Sequence, residues 1–222
     1  ITKLKSNSNY EYLSIDKKDS QMHHNITELV NIVKKEDLNR IDFIPNTIVH
    51  LAAEHRDDIT PKSLYYDVNV TGTKNIIDLA KLKSVNSIIF FSSVAVYGFA
   101  ELGTNEHGKI NPFNEYGKTK HQAEIMLEKW YEENPNDRKL IIIRPTVIFG
   151  PRNRGNFYNL INQINQNKFL MVGNGKNIKS LAYISNVVDF VIHALNFKNG
   201  RYLFNYVDKP DSNMNEIVKT IY

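Results

Sequence analysis

The chain has 222 residues, 41% hydrophobic and 23% charged, which suits one globular unit with a sizeable core and excludes a disordered chain. It has no cysteine, which excludes disulfides, zinc–thiolate sites and thiol nucleophiles and makes the reducing cytoplasm the expected location. The formal net charge of +4 comes from scattered lysines with no basic block among aromatics, and no apolar run approaches the roughly 20 residues of a membrane span, so neither nucleic acid nor a membrane is an expected partner.

In chain order, short β-rich apolar runs alternate with helical patterns, which predicts an α/β fold. Residues 11–15 (EYLSI) read as a weak strand and 26–35 (ITELVNIVKK) as a helix. NTIVHLAA (46–53) is a continuous apolar strand of the kind buried on both faces of a parallel sheet. Pro61 suits the first turn of a helix running to about residue 82. SIIFFSS (87–93) is the next buried strand, followed by a helix through Tyr116, Lys120, Ile125, Leu127 and Trp130, and then by a third strong strand, KLIIIRPTVIFG (139–150). Successive β-α-β units with right-handed crossovers make a doubly wound parallel sheet of the Rossmann type over residues 1–150. The texture then changes to a smaller lobe over 151–222. It holds a helix through FYNLINQINQ, a turn at 172–177, a helix begun by Ser185, a strand at 200–207 and a final helix capped by Ser212.

In an open α/β sheet, ligands lie outside the carboxyl ends of the strands. Three such ends carry polar chemistry. HLAAEHRDD (50–58) places small Ala52 and Ala53 where a flat ligand needs close approach. FFSSVAVYG (90–98) delivers Ser92 and Ser93 to the sheet edge. RPTVIFGPRNRGN (144–156) supplies Arg152 and Arg154 for phosphates. Tyr116 and Lys120 stand four apart on one helical face, so the ammonium is placed to favour the phenolate. A hydroxyl that orients an alcohol or ketone, a phenol that exchanges a proton and an ammonium that tunes it form a working set for hydride transfer at carbon. His23 and His24 lack further ligands at metal spacing, and the run His55, Arg56, Asp57, Asp58 reads as a charged loop entering a helix, so no metal is expected.

The stretches IVHLAA, NVTGTKNII, IIFFSSVAVYG, NEYGKTKHQAE, IIIRPTVIFGPRNRGN and VGNGKNIKSLAYISNVV, in this order over roughly residues 40–190, resemble the NAD-dependent epimerase/dehydratase family of extended short-chain dehydrogenases/reductases. The resemblance implies an enzyme using NAD or NADP on a nucleotide-diphosphosugar, and a homodimer. Tyr116 resembles the catalytic acid/base, Lys120 the residue that holds the nicotinamide ribose, and Ser93 the active-site Ser/Thr. Ala52, Ala53, Asn69 and Ser92 fall where the family lines its cofactor groove, and Pro145 through Val147 fall beside the nicotinamide. Asp16 is a candidate adenine contact. The positions carried over as substrate-binding are Ser93, Val94, Arg152, Arg154, Gly155, Asn156 and Lys179.

Departures from that pattern narrow the expectation. Val94 and Ala95 stand where 4,6-dehydratases carry an acidic pair, which leaves 4-epimerisation or ketone/alcohol interconversion at C4 of a UDP-hexose or UDP-N-acetylhexosamine. Asn186 stands where many relatives have Asp, and Lys179 where many have Arg. No G-x-x-G-x-x-G motif occurs, so a first β-α-β unit and part of the C-terminal lobe are expected to lie outside the chain, and the choice between NAD and NADP is not legible. Two other readings stay open: a catalytically silent dinucleotide sensor or scaffold, and a dehydrogenase for an apolar alcohol or ketone.

Overall fold

The computed structural model describes residues 1–5, 9–20, 22–56 and 58–221, so Asp57 of the charged run lies outside the described residues. The strands are β1 (Ser14–Asp16), β2 (Thr27–Leu29), β3 (Ile48–His50), β4 (Ser87–Phe91), β5 (Lys139–Pro145), β6 (Val147–Phe149), β7 (Ile178–Tyr183), β8 (Gly200–Tyr206) and β9 (Asp208–Asn213). The helices are α1 (Thr2–Lys5), α2 (Lys35–Asn39), α3 (Ser63–Tyr66), α4 (Gly72–Leu82), α5 (Glu115–Glu132), α6 (Asn156–Asn165), α7 (Ile184–Ala194) and α8 (Met214–Ile221). A π-helical turn over Asp67–Thr71 joins α3 to α4.

Among the described residues the strands form three sheets. β3-β4-β5-β8 is parallel throughout, β1-β2 is a parallel pair, and β6-β7-β9 is parallel at its first junction and antiparallel at its second. β4 and β5 are apolar without interruption because both sheet faces are covered. Ile88 and Phe90 pack with Ile77 and Ala80 of α4 and with Ala123, Leu127 and Trp130 of α5. Ile89, Ile141 and Ile143 point the other way, toward Phe190, Val191 and Ala194 of α7. This two-residue alternation with helices on both faces is the doubly wound arrangement expected from the sequence. Ile15 of β1 and Ile48 of β3 pack against one shared cluster that includes Leu38, Ile76 and Leu79, although no strand joins β1 to β3 among the described residues.

Three expectations are corrected. Residues 26–35 do not form a helix: Thr27–Leu29 pairs in register with Ser14–Asp16, Asn31 then closes a turn by accepting from the Val33 amide at 3.1 Å, and the helix begins only at Lys35. A parallel ladder satisfies the backbone of this β-branched stretch, so pairing overrides the helical spacing. The run 139–150 is two strands rather than one, because the chain leaves the main sheet at Thr146, whose amide donates to the Tyr206 carbonyl at 3.0 Å. α7 covers the main sheet and β8 lies beside β5 in it, while β6, β7 and β9 form a separate sheet with α6 and α8 packed beside it. Finally, α8 is capped by Asn213 rather than Ser212. Asn213 accepts from the Glu216 amide at 3.0 Å while Glu216 accepts from the Asn213 amide at 2.9 Å, a reciprocal capping box.

Leu127 is completely buried between α5 and the sheet. Leu127→Ala should lower the unfolding free energy by about 2–5 kcal/mol, measured by urea denaturation, through lost transfer energy and an unfilled cavity.

Candidate active site

β4 ends at Phe91 and passes its chain into Ser92 and Ser93, and a 3-10 turn over Val94–Tyr97 follows at once. Ser93 caps that turn, its hydroxyl oxygen accepting from the Ala95 amide at 3.1 Å. Gly98 closes the turn at φ +68°, where a Cβ would lie 2.1 Å from the Asn111 carbonyl oxygen, so the chain reverses there only with glycine. α5 starts after Asn114, which accepts from the Gly117 amide at 2.8 Å. Gly117 faces the 3-10 turn directly: a Cβ there would sit 2.5 Å from the Ala95 carbonyl oxygen. That close approach sets Tyr116 against Ser93.

Burial raises the Tyr116 pKa, and a hydrogen bond with the Ser93 hydroxyl partly offsets the rise. Lys120 is 1% exposed, and its ammonium lies 4.1 Å from the centre of the Phe90 ring. Burial pulls its pKa down to about 7, with the charge of Glu124 working in the opposite direction. The phenol responds to burial and to Ser93, and the Lys120 ammonium is held over Phe90. His50, at the end of β3, is buried with Nε2 2.9 Å from the Thr73 hydroxyl, which donates to the Asn69 carbonyl at 2.7 Å. Burial, helped by the nearby Lys120 charge, pulls the His50 pKa down to about 3, so no second cation enters this space.

The structure thus brings Ser92, Ser93, Tyr116 and Lys120 to one sheet edge. The Ser92 hydroxyl is buried and has no hydrogen-bond partner among the described residues. An orphaned hydroxyl beside a phenol and a buried ammonium is a donor set that fits the hydroxyl groups and amide of a dinucleotide, with exposed Ala52 and half-buried Ala53 leaving room at the end of β3. Pro145 is buried at the end of β5, Val147 is 43% exposed at the start of β6, and Val94 is half-buried directly after Ser93. The Asn69 side chain is held within the protein. It accepts from the Glu54 amide at 2.8 Å and donates to the Glu54 carbonyl and the Thr119 hydroxyl at 3.0 Å each, clamping the loop after β3 to α5. Asp16, Arg152, Arg154, Asn156 and Lys179 are exposed and make no ion pair among the described residues. Asp16 accepts from the Lys18 amide at 2.9 Å, and Gly155 caps α6 between Arg154 and Asn156.

Sequence reasoning passed over Glu124 and Arg144. Arg144 donates to both carboxylate oxygens of Glu124, at 2.8 and 2.7 Å, and both side chains are buried. The signal was present: a charged residue inside the apolar run of β5, and a carboxylate one turn beyond Lys120 on the same helical face.

The profile described as the NAD dependent epimerase/dehydratase family matches residues 1–205. The chain is 48% identical over 215 residues to the N-acetyl-alpha-D-glucosaminyl-diphospho-ditrans,octacis-undecaprenol 4-epimerase of Escherichia coli O157:H7, covering 96% of this chain and 65% of that protein. It is 31% identical over 183 residues to the UDP-glucose 4-epimerase of Vibrio cholerae, covering 78% of this chain and 55% of the relative. The chain therefore spans less than two thirds of the length of either curated relative. Among solved structures it is similar to a UDP-glucose 4-epimerase from Thermotoga maritima (TM-score 0.86, 21% identity, 99% of this chain and 76% of the other). It is also similar to a UDP-glucuronic acid 4-epimerase from Bacillus cereus (TM-score 0.82, 21% identity, 99% and 77%). At such identities these two likenesses establish the fold.

A Lys pKa lowered by folding makes the unfolded chain bind more protons than the folded one between about pH 7 and the ordinary lysine value, so stability rises with pH across that window. Lys120→Met should flatten this rise and unfold at higher denaturant concentration than wild type at pH 7, as measured by urea titrations from pH 6.5 to 10.

Proposed function

Because this chain belongs to the NAD dependent epimerase/dehydratase family, we propose that it forms the catalytic core of a 4-epimerase acting on a diphosphate-linked N-acetylhexosamine. The observation that carries the reading is the convergence of Ser93, Tyr116 and Lys120 on one edge of the sheet. Tyr116, once ionised, accepts the C4 hydroxyl proton and later gives it back, Ser93 hydrogen-bonds the same oxygen and orients it, and Lys120 supports the phenolate while it exists. NAD, when bound, supplies reversible hydride acceptance at C4. Lys120 and Tyr116 would hold its nicotinamide ribose, and Ser92, Ala52 and Ala53 would line its groove. Val94 and Ala95 offer no proton beside Ser93, so the reaction stops at the C4 ketone instead of eliminating the C6 hydroxyl. After the keto-sugar turned over in the site, Tyr116 would return its proton to the C4 oxygen as the bound dinucleotide gave its hydride back, leaving no net oxidation.

The carrier that fits best is a polyprenyl diphosphate, because the relative named for an undecaprenol-linked sugar is 48% identical over 96% of the chain. Such a substrate would bring the protein to a membrane surface even though no helix among the described residues is long and apolar enough to cross one. A second reading, a UDP-linked sugar, is favoured by the similarity to the Vibrio cholerae UDP-glucose 4-epimerase. In either case the lobe of β6, β7, β9, α6 and α8 is the proposed substrate side, with Arg152, Arg154 and Lys179 facing the diphosphate and Gly155 and Asn156 opening the helix beside it. Asp16 is the proposed adenine-side contact, and the homodimer remains part of the proposal.

The full-length protein, given NAD and either polyprenyl-diphosphate-linked or UDP-linked N-acetylglucosamine, should produce the C4 epimer without consuming reduced cofactor. Stoichiometric consumption would make it a reductase instead. Tyr116→Phe should lower turnover by about 100- to 10,000-fold while the variant, with Lys120 and the rest of the groove intact, still binds the dinucleotide. Dinucleotide binding with no turnover of either sugar would favour the silent sensor.

A further inference from the structure

Tyr116, Lys120 and Glu124 occupy successive turns of one face of α5, so Glu124 stands directly behind the two residues that carry the chemistry. Its carboxylate is 2% exposed and gripped at both oxygens by Arg144 at the end of β5. The remaining Arg144 nitrogen donates to the Tyr97 hydroxyl at 2.6 Å, and Tyr97 donates onward to the Asn205 side-chain oxygen on β8 at 2.8 Å. Tyr97 ends the same 3-10 turn that Ser93 caps. The contacts therefore close a ring: from Ser93 through its turn to Tyr97, across Arg144 to Glu124, and back along α5 through Lys120 to Tyr116, which meets Ser93 again.

We infer that Glu124 is a positioning residue for the reaction at Tyr116: clamped by Arg144, its carboxylate holds the Tyr116 and Lys120 face of α5 in register with the Ser93 turn, one helical turn from Lys120. The reaction itself rests on the function proposed above. A buried ion pair adds little stability over well-packed apolar side chains, so fold maintenance alone gives little reason to place one here. A buried ammonium, by contrast, needs a nearby negative charge to stay protonated, and Glu124 is the carboxylate acting on Lys120. The other polar groups do not replace it. His50 faces Lys120 from β3 and is neutral, and Tyr116 is uncharged at rest. Around Glu124, His121 Nδ1 lies 3.5 Å from one carboxylate oxygen, while the Glu106 carboxylate is turned away to accept from the Asn205 amide at 2.7 Å.

The test compares full-length wild type, Glu124→Gln and the charge-balanced Glu124→Gln/Arg144→Gln, with Lys120 followed by NMR on protein carrying 13Cε-labelled lysine and assigned by loss of its signal in Lys120→Met. In folded variants Lys120 should titrate at lower pH than in wild type. The alkaline limb of the kcat–pH profile should move the same way, and kcat should fall about 100-fold with KM nearly constant, the cost of misplacing a reacting group. Glu124→Asp should recover part of the loss. If Glu124→Gln fails to fold, the double variant carries the decision. A folded double variant with Lys120 titrating as in wild type would overturn the inference, as would a change confined to KM or to dinucleotide affinity. Should wild type turn over no sugar, the functional reading falls while the Lys120 titration still decides this one.

Discussion

The site depends on how closely α5 lies against the sheet and the turn after β4. Ala123, Leu127 and Trp130 bury one stripe of the helix on Phe90, Leu140 and Ile142, and this apolar contact fixes its height and direction. Its first turn then has no freedom left. Gly117 meets the Ala95 carbonyl at a distance where no side chain fits, and Asn114 ends the helix one turn earlier. Tyr116 meets Ser93 because the helix cannot go elsewhere. The π turn at Asp67–Thr71 adds a second restraint by turning Asn69 inward, where its amide ties the loop after β3 to Thr119 of α5. The ends of three strands and one helix are thereby locked together before any ligand arrives.

Electrostatics completes what packing begins. The space behind the site contains one buried ammonium, one imidazole held neutral and one guanidinium–carboxylate pair. Burial opposes the Arg144 charge, but hydrogen bonding and attraction to Glu124 outweigh it and hold its pKa above the ordinary arginine value. The Glu124 carboxylate thus stands between Arg144, which grips both of its oxygens, and Lys120 one turn back along α5. A single carboxylate links the cation that maintains the fold to the cation that serves the phenol.

The parts of the fold legible in the sequence are those where one physical demand dominates. β4 and β5 lie between two helical layers and must be apolar throughout, and α5 shows its stripe and its Asn cap plainly. Where two demands compete, the pattern misleads. Residues 26–35 carry helical spacing, but Thr27–Leu29 lies beside β1 and its backbone takes the ladder. Val147–Phe149 continues the apolar run of β5 yet belongs to another sheet, since a change of sheet at Thr146 leaves no mark in hydrophobicity. β9, with the sequence DKPDSN, has none of the residues that favour strands and forms because β7 offers it an antiparallel edge. Tyr116 and Lys120 stood out because the proposed chemistry calls for these residue types at helical spacing. Glu124 and Arg144 each left a mark as a charge in an apolar setting, but their pairing did not, because a contact between a helix and a strand 20 residues away has no local signature.

The residues proposed to serve chemistry and cofactor binding are also ones that contribute little to the fold. Lys120 loses hydration on burial and gains an aromatic face and a nearby carboxylate in return, and the Ser92 hydroxyl is buried with no hydrogen-bond partner among the described residues. Neither would be chosen for stability, and an apolar side chain at either position would pack without penalty. They are tolerated because β4 and β5 on one side and the Asn69 and Gly117 contacts on the other leave α5 no alternative position. A buried hydroxyl left without a hydrogen-bond partner among the described residues, as at Ser92, suits a ligand that satisfies it, and the desolvation cost met there on folding is recovered in part when that ligand binds.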